Sequence, residues 1–429
     1  MSRGARAAAI AAVALVVAGC NGGSSAPPAS SGDPATGSST QSPASAPTTP
    51  VELFPEAVPV AVEYVRDAAL GRTAAARRLV AAPDDRALRS LSRLDRWLGS
   101  IPIARIDATP AYQPLEAGYP DGAVGVGLDL RARLSSRTPW VPLGRRVLVM
   151  THEDSDWRVA SDATHDEGLG IAPAGLSLFQ RPRFLTGRRA TVVYGLQSAK
   201  GTATDILKAA DAAVPHLSST YGGGPAAARP LIFLVKDREQ GEQLSGVGVS
   251  RQTPLGTLAQ DFTYVFLRQY AAVDEVGRSS SVVALMTMLA TREMLGRGPT
   301  SLTNGVATYE EDRYLATRGF ILPLDDIERA YPAYPSLARW STAAPLWGLS
   351  GKAGLLASQD SLAMVHVIVQ NHGGVAALRR LGKAFASHGI VDFTPRQVRG
   401  AFRKALKVSF ESVRDEARAY VASGDWKYH

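Results

Sequence analysis

The sequence has 429 residues but only one cysteine, Cys20, and seven histidines. A single cysteine excludes an internal disulfide and a cluster of thiolate metal ligands. No two histidines stand four residues apart, so no helix carries the pair of imidazoles with which many peptidases hold zinc. The motifs Gly-x-Ser-x-Gly, Ser-x-x-Lys and Gly-x-x-x-x-Gly-Lys-Ser/Thr are also absent, which argues against a serine nucleophile of those types and against a phosphate-binding loop.

Long runs of charge are missing as well. The formal net charge is +8, but the basic residues are scattered in short groups such as Arg77-Arg78, Arg145-Arg146 and Arg379-Arg380. No aromatic residues interleave with these pairs, and nucleic acid is therefore not expected as a partner. Two interpretations of the positive charge stay open: modest affinity for anionic lipid or wall polymer, or a solvated surface without a partner.

The N-terminus combines a basic start at Arg3 and Arg6 with an apolar segment from Ala7 to Ala18. That segment is shorter than the roughly 20 residues that span a bilayer, and the pattern predicts a secretory signal over residues 1–20. Its ending, Val17-Ala18-Gly19-Cys20, resembles the lipobox of bacterial lipoproteins. The resemblance implies that Cys20 is diacylated and becomes the new N-terminus. We therefore expect an exported protein, anchored by lipid to the outer face of the cell membrane.

Residues 21–50 are mostly Ser, Pro, Thr, Gly and Ala, and we interpret them as a disordered linker. The remainder is long for one domain and predicts two, at 51–175 and 188–424.

In the first domain, helical patterns precede strand patterns, for example Val58–Leu70 before the alternation of Val124, Val126, Leu128 and Leu130. This order resembles the NTF2-like cone, an α+β fold. Some relatives of that fold are enzymes with Asp and His in the cone, and His152, Asp154 and Asp156 lie close together here. They predict either a site on one strand face or a polar hairpin turn.

The second domain begins with strands and helices in alternation and ends in helices. Its central segment contains Thr287 and Ala290-Thr291-Arg292, and Leu302, Gly305, Ala307 and Tyr309 follow. This framework resembles the gluzincin metallopeptidases, the peptidase MA-like group. There, one helix carries His-Glu-x-x-His and the next carries Trp-Leu-x-Glu-Gly-x-Ala-x-Tyr. The resemblance implies a mixed sheet with a helical bundle, so the whole chain is expected to be α+β with two domains.

The family's zinc chemistry needs two His ligands, a Glu base and a third Glu ligand. Carried over by the resemblance, these fall on Ala284, Leu285, Met288 and Asn304, in that order. None of these side chains can replace its counterpart, and a register shifted by one residue, onto Leu285–Leu289, changes nothing. We therefore expect no bound metal, no cofactor and no catalytic residue in this domain. The other interpretation is a Met- and Leu-rich core helix that never was a peptidase helix.

Together these observations predict an envelope lipoprotein with an inactive zinc-peptidase-like domain, which binds a peptide, wall polymer or envelope protein. The alternatives are an enzyme of another class with its site in the first domain, or a purely structural lipoprotein. The acidic group Glu310-Glu311-Asp312 is interpreted as a solvated helix face.

Overall fold

A computed structural model describes residues 55–81, 85–112, 119, 121–166, 169, 171, 174–179, 181–221, 229–245, 256–259, 262–267, 270, 274–295, 298–320, 322, 324, 327, 340–341, 351–388 and 393–428. Cys20 and the predicted linker lie outside these residues. The described residues divide into two compact units: one comprises residues 55–136 and Trp140–Pro182, and the other comprises Arg137–Pro139 and residues 183–428. Within the described ranges, no helix is both long and apolar enough to cross a membrane.

The N-terminal unit is α+β, with helices before an antiparallel sheet as the sequence predicts. The sheet is a meander in the order β1-β2-β3-β4. Its elements are α1 (Ala57–Ala69), α2 (Thr73–Arg78), α3 (Asp85–Gly99), β1 (Arg105–Tyr112), β2 (Val124–Arg133), β3 (Val141–Glu153) and β4 (Asp156–Asp162). The NTF2-like identity of this unit remains a prediction.

The strand β2 fixes the register of this sheet through both of its faces. Its alternate residues Val126, Leu128, Leu130 and Ala132 are buried, because a strand points successive side chains to opposite faces. On the other face, Asp129 pairs with Arg145 of β3 at 2.8 Å, and Arg131 pairs with Asp107 of β1 at 2.8 Å. Each charge faces its direct cross-strand neighbour. Because a slip by one residue would bury the charges, this register is strongly specified.

The C-terminal unit contains a five-stranded mixed sheet in the order β5-β6-β7-β9-β8. The inner strands β6, β7 and β9 are parallel, and each edge strand is antiparallel to its neighbour. The sheet and its connections comprise β5 (Arg183–Thr186), β6 (Thr191–Tyr194), α4 (Lys200–Tyr221), β7 (Leu231–Val235), α5 (Arg238–Ser245), β8 (Gly256–Ala259) and β9 (Phe262–Phe266). The edge strands and α5 were not predicted, because they are short and lack a long apolar period.

Six helices form the rest of the described unit. They are α6 (Glu275–Leu295), α7 (Thr300–Ala316), α8 (Gly351–Asn371), α9 (Gly374–Ala386), α10 (Pro395–Leu406) and α11 (Phe410–Ser423). The start of α10 is fixed by two residues: Thr394 caps it by accepting a hydrogen bond from the Gln397 amide, and Pro395 is its first residue. One large hydrophobic core connects α4 and α6 to the C-terminal helices.

Candidate functional site

The helix α6 is buried on every side over its middle turns, from Ser281 to Thr291. Its hydroxyl groups bond to carbonyl groups of the same helix. Thr287 donates to the Val283 carbonyl at 2.8 Å, and Thr291 donates to the Thr287 carbonyl at 2.8 Å. This part of α6 is therefore a core helix, and these hydroxyls form their hydrogen bonds within it.

The four positions onto which the sequence resemblance carries the zinc ligands and the base lie inside this core. Ala284, Leu285 and Met288 are each 1% exposed, and Asn304 of α7 is fully buried. The Asn304 amide nitrogen donates to the Ser358 hydroxyl of α8 at 3.0 Å. Across the described part of the chain, no three His, Cys, Asp or Glu side chains converge in a way that could hold a metal ion.

Gly305 brings α7 against α8 immediately beside Asn304. A Cβ at this position would collide with the Ser361 carbonyl oxygen and with the Val365 side chain. Since Ser361 contributes a backbone atom within a helix, it cannot move aside easily. Gly305 therefore serves the close packing of two helices.

A buried carboxylate, Glu310 of α7, lies at the centre of a polar cluster. Its side chain is 1% exposed. The Tyr221 hydroxyl donates to its Oε1 at 2.6 Å, the His216 Nε2 lies 2.8 Å from its Oε2, and the Arg313 guanidinium donates to Oε1 at 3.2 Å. We name Glu310, His216, Tyr221 and Arg313 the Glu310 cluster. Because both carboxylate oxygens have partners, the charge is compensated despite its burial.

The Glu310 cluster joins α4 to α7, since His216 and Tyr221 both lie in the last two turns of α4. Burial, and then the neighbouring Glu310 carboxylate, raise the pKa of Tyr221 above its ordinary range. The phenol therefore stays protonated and continues to donate. A histidine oriented by a carboxylate is also part of a catalytic triad, but no hydroxyl or thiol among the described residues is hydrogen-bonded to the His216 ring.

An aromatic contact path continues from this cluster to the C-terminal helix. The Arg313 guanidinium lies 5.8 Å from the ring centre of Tyr309, and the Tyr309 and His366 rings are 6.1 Å apart. His366 stacks on Tyr420 of α11 at 4.1 Å. His366 is half-buried, and its ring packs between α8 and α11.

The adjacent carboxyl group, Glu311, is in the opposite electrostatic situation. It is 2% exposed, and its Oε1 atom has no hydrogen-bond partner within the described residues. Burial raises the pKa of Glu311 well above its usual range, a hydrogen bond with Ser280 of α6 lowers it, and neighbouring Asp312 raises it. The balance favours a neutral acid in the interface of α6 and α7.

The interpretation of Glu310-Glu311-Asp312 as a solvated face was therefore wrong for its first two residues. Helical spacing alone could have indicated part of this arrangement. Glu310 follows the buried Val306 by four residues, on the same helix face, and precedes its partner Arg313 by three. The partners on α4, however, are about ninety residues away in sequence (94 for His216 and 89 for Tyr221), so no local pattern identifies them.

The residues His152, Asp154 and Asp156 belong to an exposed hairpin between β3 and β4. Asp154 and Ser155 have positive φ angles of 46° and 75° and form its two-residue turn. Asp154 is thus not part of an extended strand, and the three side chains do not share one strand face. His152 packs edge-on against Trp157, and Asp156 pairs with Arg158 at 3.1 Å. The polar-turn interpretation is the one that the structure supports.

Of the other histidines, His372 lies just beyond the end of α8, as predicted, and its Nε2 contacts Glu416 of α11 at 3.0 Å. His165 and His388 are exposed. Among the described residues, no histidine belongs to a group of side chains that could bind a metal ion.

No protein-family model and no curated protein matches this sequence. Two solved structures of mutant M1 zinc metallopeptidases are similar to it: a two-domain enzyme bound to L-arginine, and an enzyme from Deinococcus radiodurans. Both have a TM-score of 0.30, at 12% and 13% sequence identity, and both cover 70% of this chain. The chain spans 61% of their length. This likeness concerns the fold alone, and no activity or ligand follows from it.

Proposed function

We propose that this protein is a lipid-anchored envelope protein whose C-terminal unit is a peptidase-like binding module without zinc chemistry. One observation carries the proposal: the four positions that would supply the metal ligands and the base are filled by Ala284, Leu285, Met288 and Asn304, all buried in the core. None of the first three has a side-chain atom that binds zinc well. The Asn304 nitrogen donates to Ser358, and its Oδ1, which has no hydrogen-bond partner among the described residues, is a neutral and weak zinc ligand.

The physical reason for such a replacement is the cost of buried polar groups. Without metal, two imidazoles and two carboxylates in this core would lack partners, which destabilises a fold. Apolar side chains of similar volume remove that cost and are often neutral or stabilising. A domain that has lost its metal can therefore keep its helices and still present a surface to a peptide, wall polymer or envelope protein.

Metal content and proteolysis test the loss of chemistry directly. We would purify the mature protein after growth with added zinc, measure zinc by elemental analysis, and assay cleavage of a mixed peptide library with and without a chelator. We expect far less than one zinc per chain and no cleavage. Stoichiometric zinc together with chelator-sensitive cleavage would overturn the proposal.

Binding needs its own experiment, since absence of cleavage alone does not show a partner. Photo-crosslinking groups introduced at exposed positions in cells, followed by mass spectrometry, would identify envelope proteins or wall fragments. An enzyme site in the N-terminal unit receives no support from the exposed hairpin. The variant His152→Ala would therefore keep the cellular phenotype of the wild type, and a loss of that phenotype would favour the enzyme alternative.

A further inference from the structure

A cleft of about 310 Å³ lies between the end of α9 and one face of α10. Its lining consists of Ala384, Ser387, His388, Arg396, Gln397, Gly400, Ala401 and Lys404. Arg396, Gly400 and Lys404 follow one another at intervals of four residues, so they form a single stripe along α10. The cleft is thus built on a regular helix whose start is fixed by the Thr394 cap.

The centre of the stripe is open because its residues are small. A Cβ added at Gly400 would meet no atom within 4 Å, and Ala401 beside it contributes only a methyl group. The basic side chains Arg396 and Lys404 lie one helical turn to either side of Gly400. A compact ligand on this floor would therefore be reached from both ends by positive charge.

The cleft lining contains basic groups and no acid. Elsewhere on α10, the Arg399 guanidinium is paired with Glu411 of α11 at 2.5 Å. Among the described residues, neither Arg396 nor Lys404 forms such an ion pair. The Gln397 carbonyl oxygen accepts hydrogen bonds from the Thr394 amide and hydroxyl, which leaves its amide hydrogens as donors.

We propose that this cleft binds a phosphate group, as a phosphate monoester or phosphodiester. An Arg guanidinium matches two phosphate oxygens with its planar fork, and Lys adds a point charge. The Gln397 amide can donate to a third oxygen. Two sources share this chemistry in an envelope: a soluble phosphate ester or wall fragment, and the headgroup of an anionic lipid.

The phosphate cleft shares no residue with the Glu310 cluster or with Ala284, Leu285, Met288 and Asn304. It therefore does not rest on the loss of zinc chemistry. Failure of the zinc experiment would leave it standing, and its own failure would leave the proposed function standing.

Calorimetric titration of the mature full chain in neutral detergent tests the proposal. The probes are inorganic phosphate, glycerol 3-phosphate, micelles doped with phosphatidylglycerol, and acetate as a non-phosphate anion. The variants are Arg396→Ala/Lys404→Ala, which removes the charges, and Gly400→Ile, which fills the floor without changing charge. The matched control is Arg403→Ala, which removes one charge from α10 outside the cleft lining. Thermal unfolding verifies that each variant is folded.

We expect saturable phosphate binding that weakens about tenfold or more in the charge variant and in Gly400→Ile, and less than about twofold in Arg403→Ala. If glycerol 3-phosphate binds with this pattern of affinities, the ligand is a soluble ester. If only the micelles doped with phosphatidylglycerol do so, the ligand is a lipid headgroup. No binding in any titration, acetate binding of equal strength, or an equal effect of Arg403→Ala would overturn the proposal.

Discussion

The Tyr221 hydroxyl donates a 2.6 Å hydrogen bond to the buried Glu310 carboxylate, and this contact joins α4 to α7 across 89 residues of sequence. Tyr221 and Glu310 are both almost fully buried. A charged acceptor in such surroundings makes a strong hydrogen bond, because no water competes for it.

Removing either partner should destabilise the C-terminal unit. Tyr221→Phe is expected to lower the free energy of unfolding by about 1.5 kcal/mol, since it deletes one hydrogen bond to a charged group. Glu310→Gln should also cost about 1.5 kcal/mol, because a neutral amide oxygen accepts weaker hydrogen bonds than a carboxylate does. Urea unfolding followed by circular dichroism measures both values.

The double variant tests whether the two side chains act together. It should lose clearly less stability than the two single losses added, because Tyr221→Phe removes the hydrogen bond that Glu310→Gln weakens. The exposed Asp205→Asn on α4 is the control and should change stability by less than about 0.5 kcal/mol. Simple additivity of Tyr221→Phe and Glu310→Gln would show that the contact is not a coupled unit.

The variant Glu311→Gln should stabilise the protein at high pH, in contrast to the variants of Tyr221 and Glu310. The raised pKa of Glu311 means that the folded state keeps a proton where the unfolded chain has already lost it. The protonated Glu311 side chain therefore makes its full contribution to stability below the ordinary glutamate pKa of about 4.3. That contribution is lost as the pH rises through the pKa that Glu311 has in the folded protein. The variant removes this loss and should be more stable than wild type at pH 8.

Comparison of Glu311→Gln with wild type at pH 4 and pH 8 completes the test. At pH 4 both side chains are neutral, so the difference in thermal unfolding temperature should nearly vanish. If Glu311→Gln destabilised the protein equally at both pH values, Glu311 would have to be charged and paired in the folded protein.

Gly305→Ala should lower stability by about 1 to 3 kcal/mol, because its methyl group meets the Ser361 carbonyl oxygen. Gly201 is a matched control, since it also lies in a helix but has no atom within 4 Å of an added Cβ. Gly201→Ala should be neutral or stabilising by up to about 1 kcal/mol. Equal effects of the two substitutions in urea unfolding would contradict the close packing of α7 on α8.

Cys20→Ser should release the protein from the membrane, because the predicted lipid depends on the thiol of this residue. Cell fractionation and labelling with a radioactive fatty acid measure the anchoring. The wild type should be labelled and pelleted with membranes, and the variant should be unlabelled. An unlabelled wild type that still pellets with membranes would show that another feature anchors the chain.

The sequence predicted the elements with long periodic patterns. The helix α1 was expected at Val58–Leu70 and lies at Ala57–Ala69, and β7 was expected with its observed bounds. The edge strands β5 and β8 were missed, because four residues carry too little periodicity. The hairpin at Asp154 was left between two interpretations, since only the backbone angles distinguish a turn from a continuing strand.

The lack of metal-binding side chains at positions 284, 285 and 288 is a property of the sequence alone, because no folding can supply an absent imidazole or carboxylate. The environment of Glu310 and Glu311 was decided only by tertiary structure. Helical periodicity states which residues share a face, but the helix that covers that face comes from a distant part of the chain. Burial by α4 gave Glu310 two of its three partners, and burial against α6 raised the pKa of Glu311, which no local pattern could indicate.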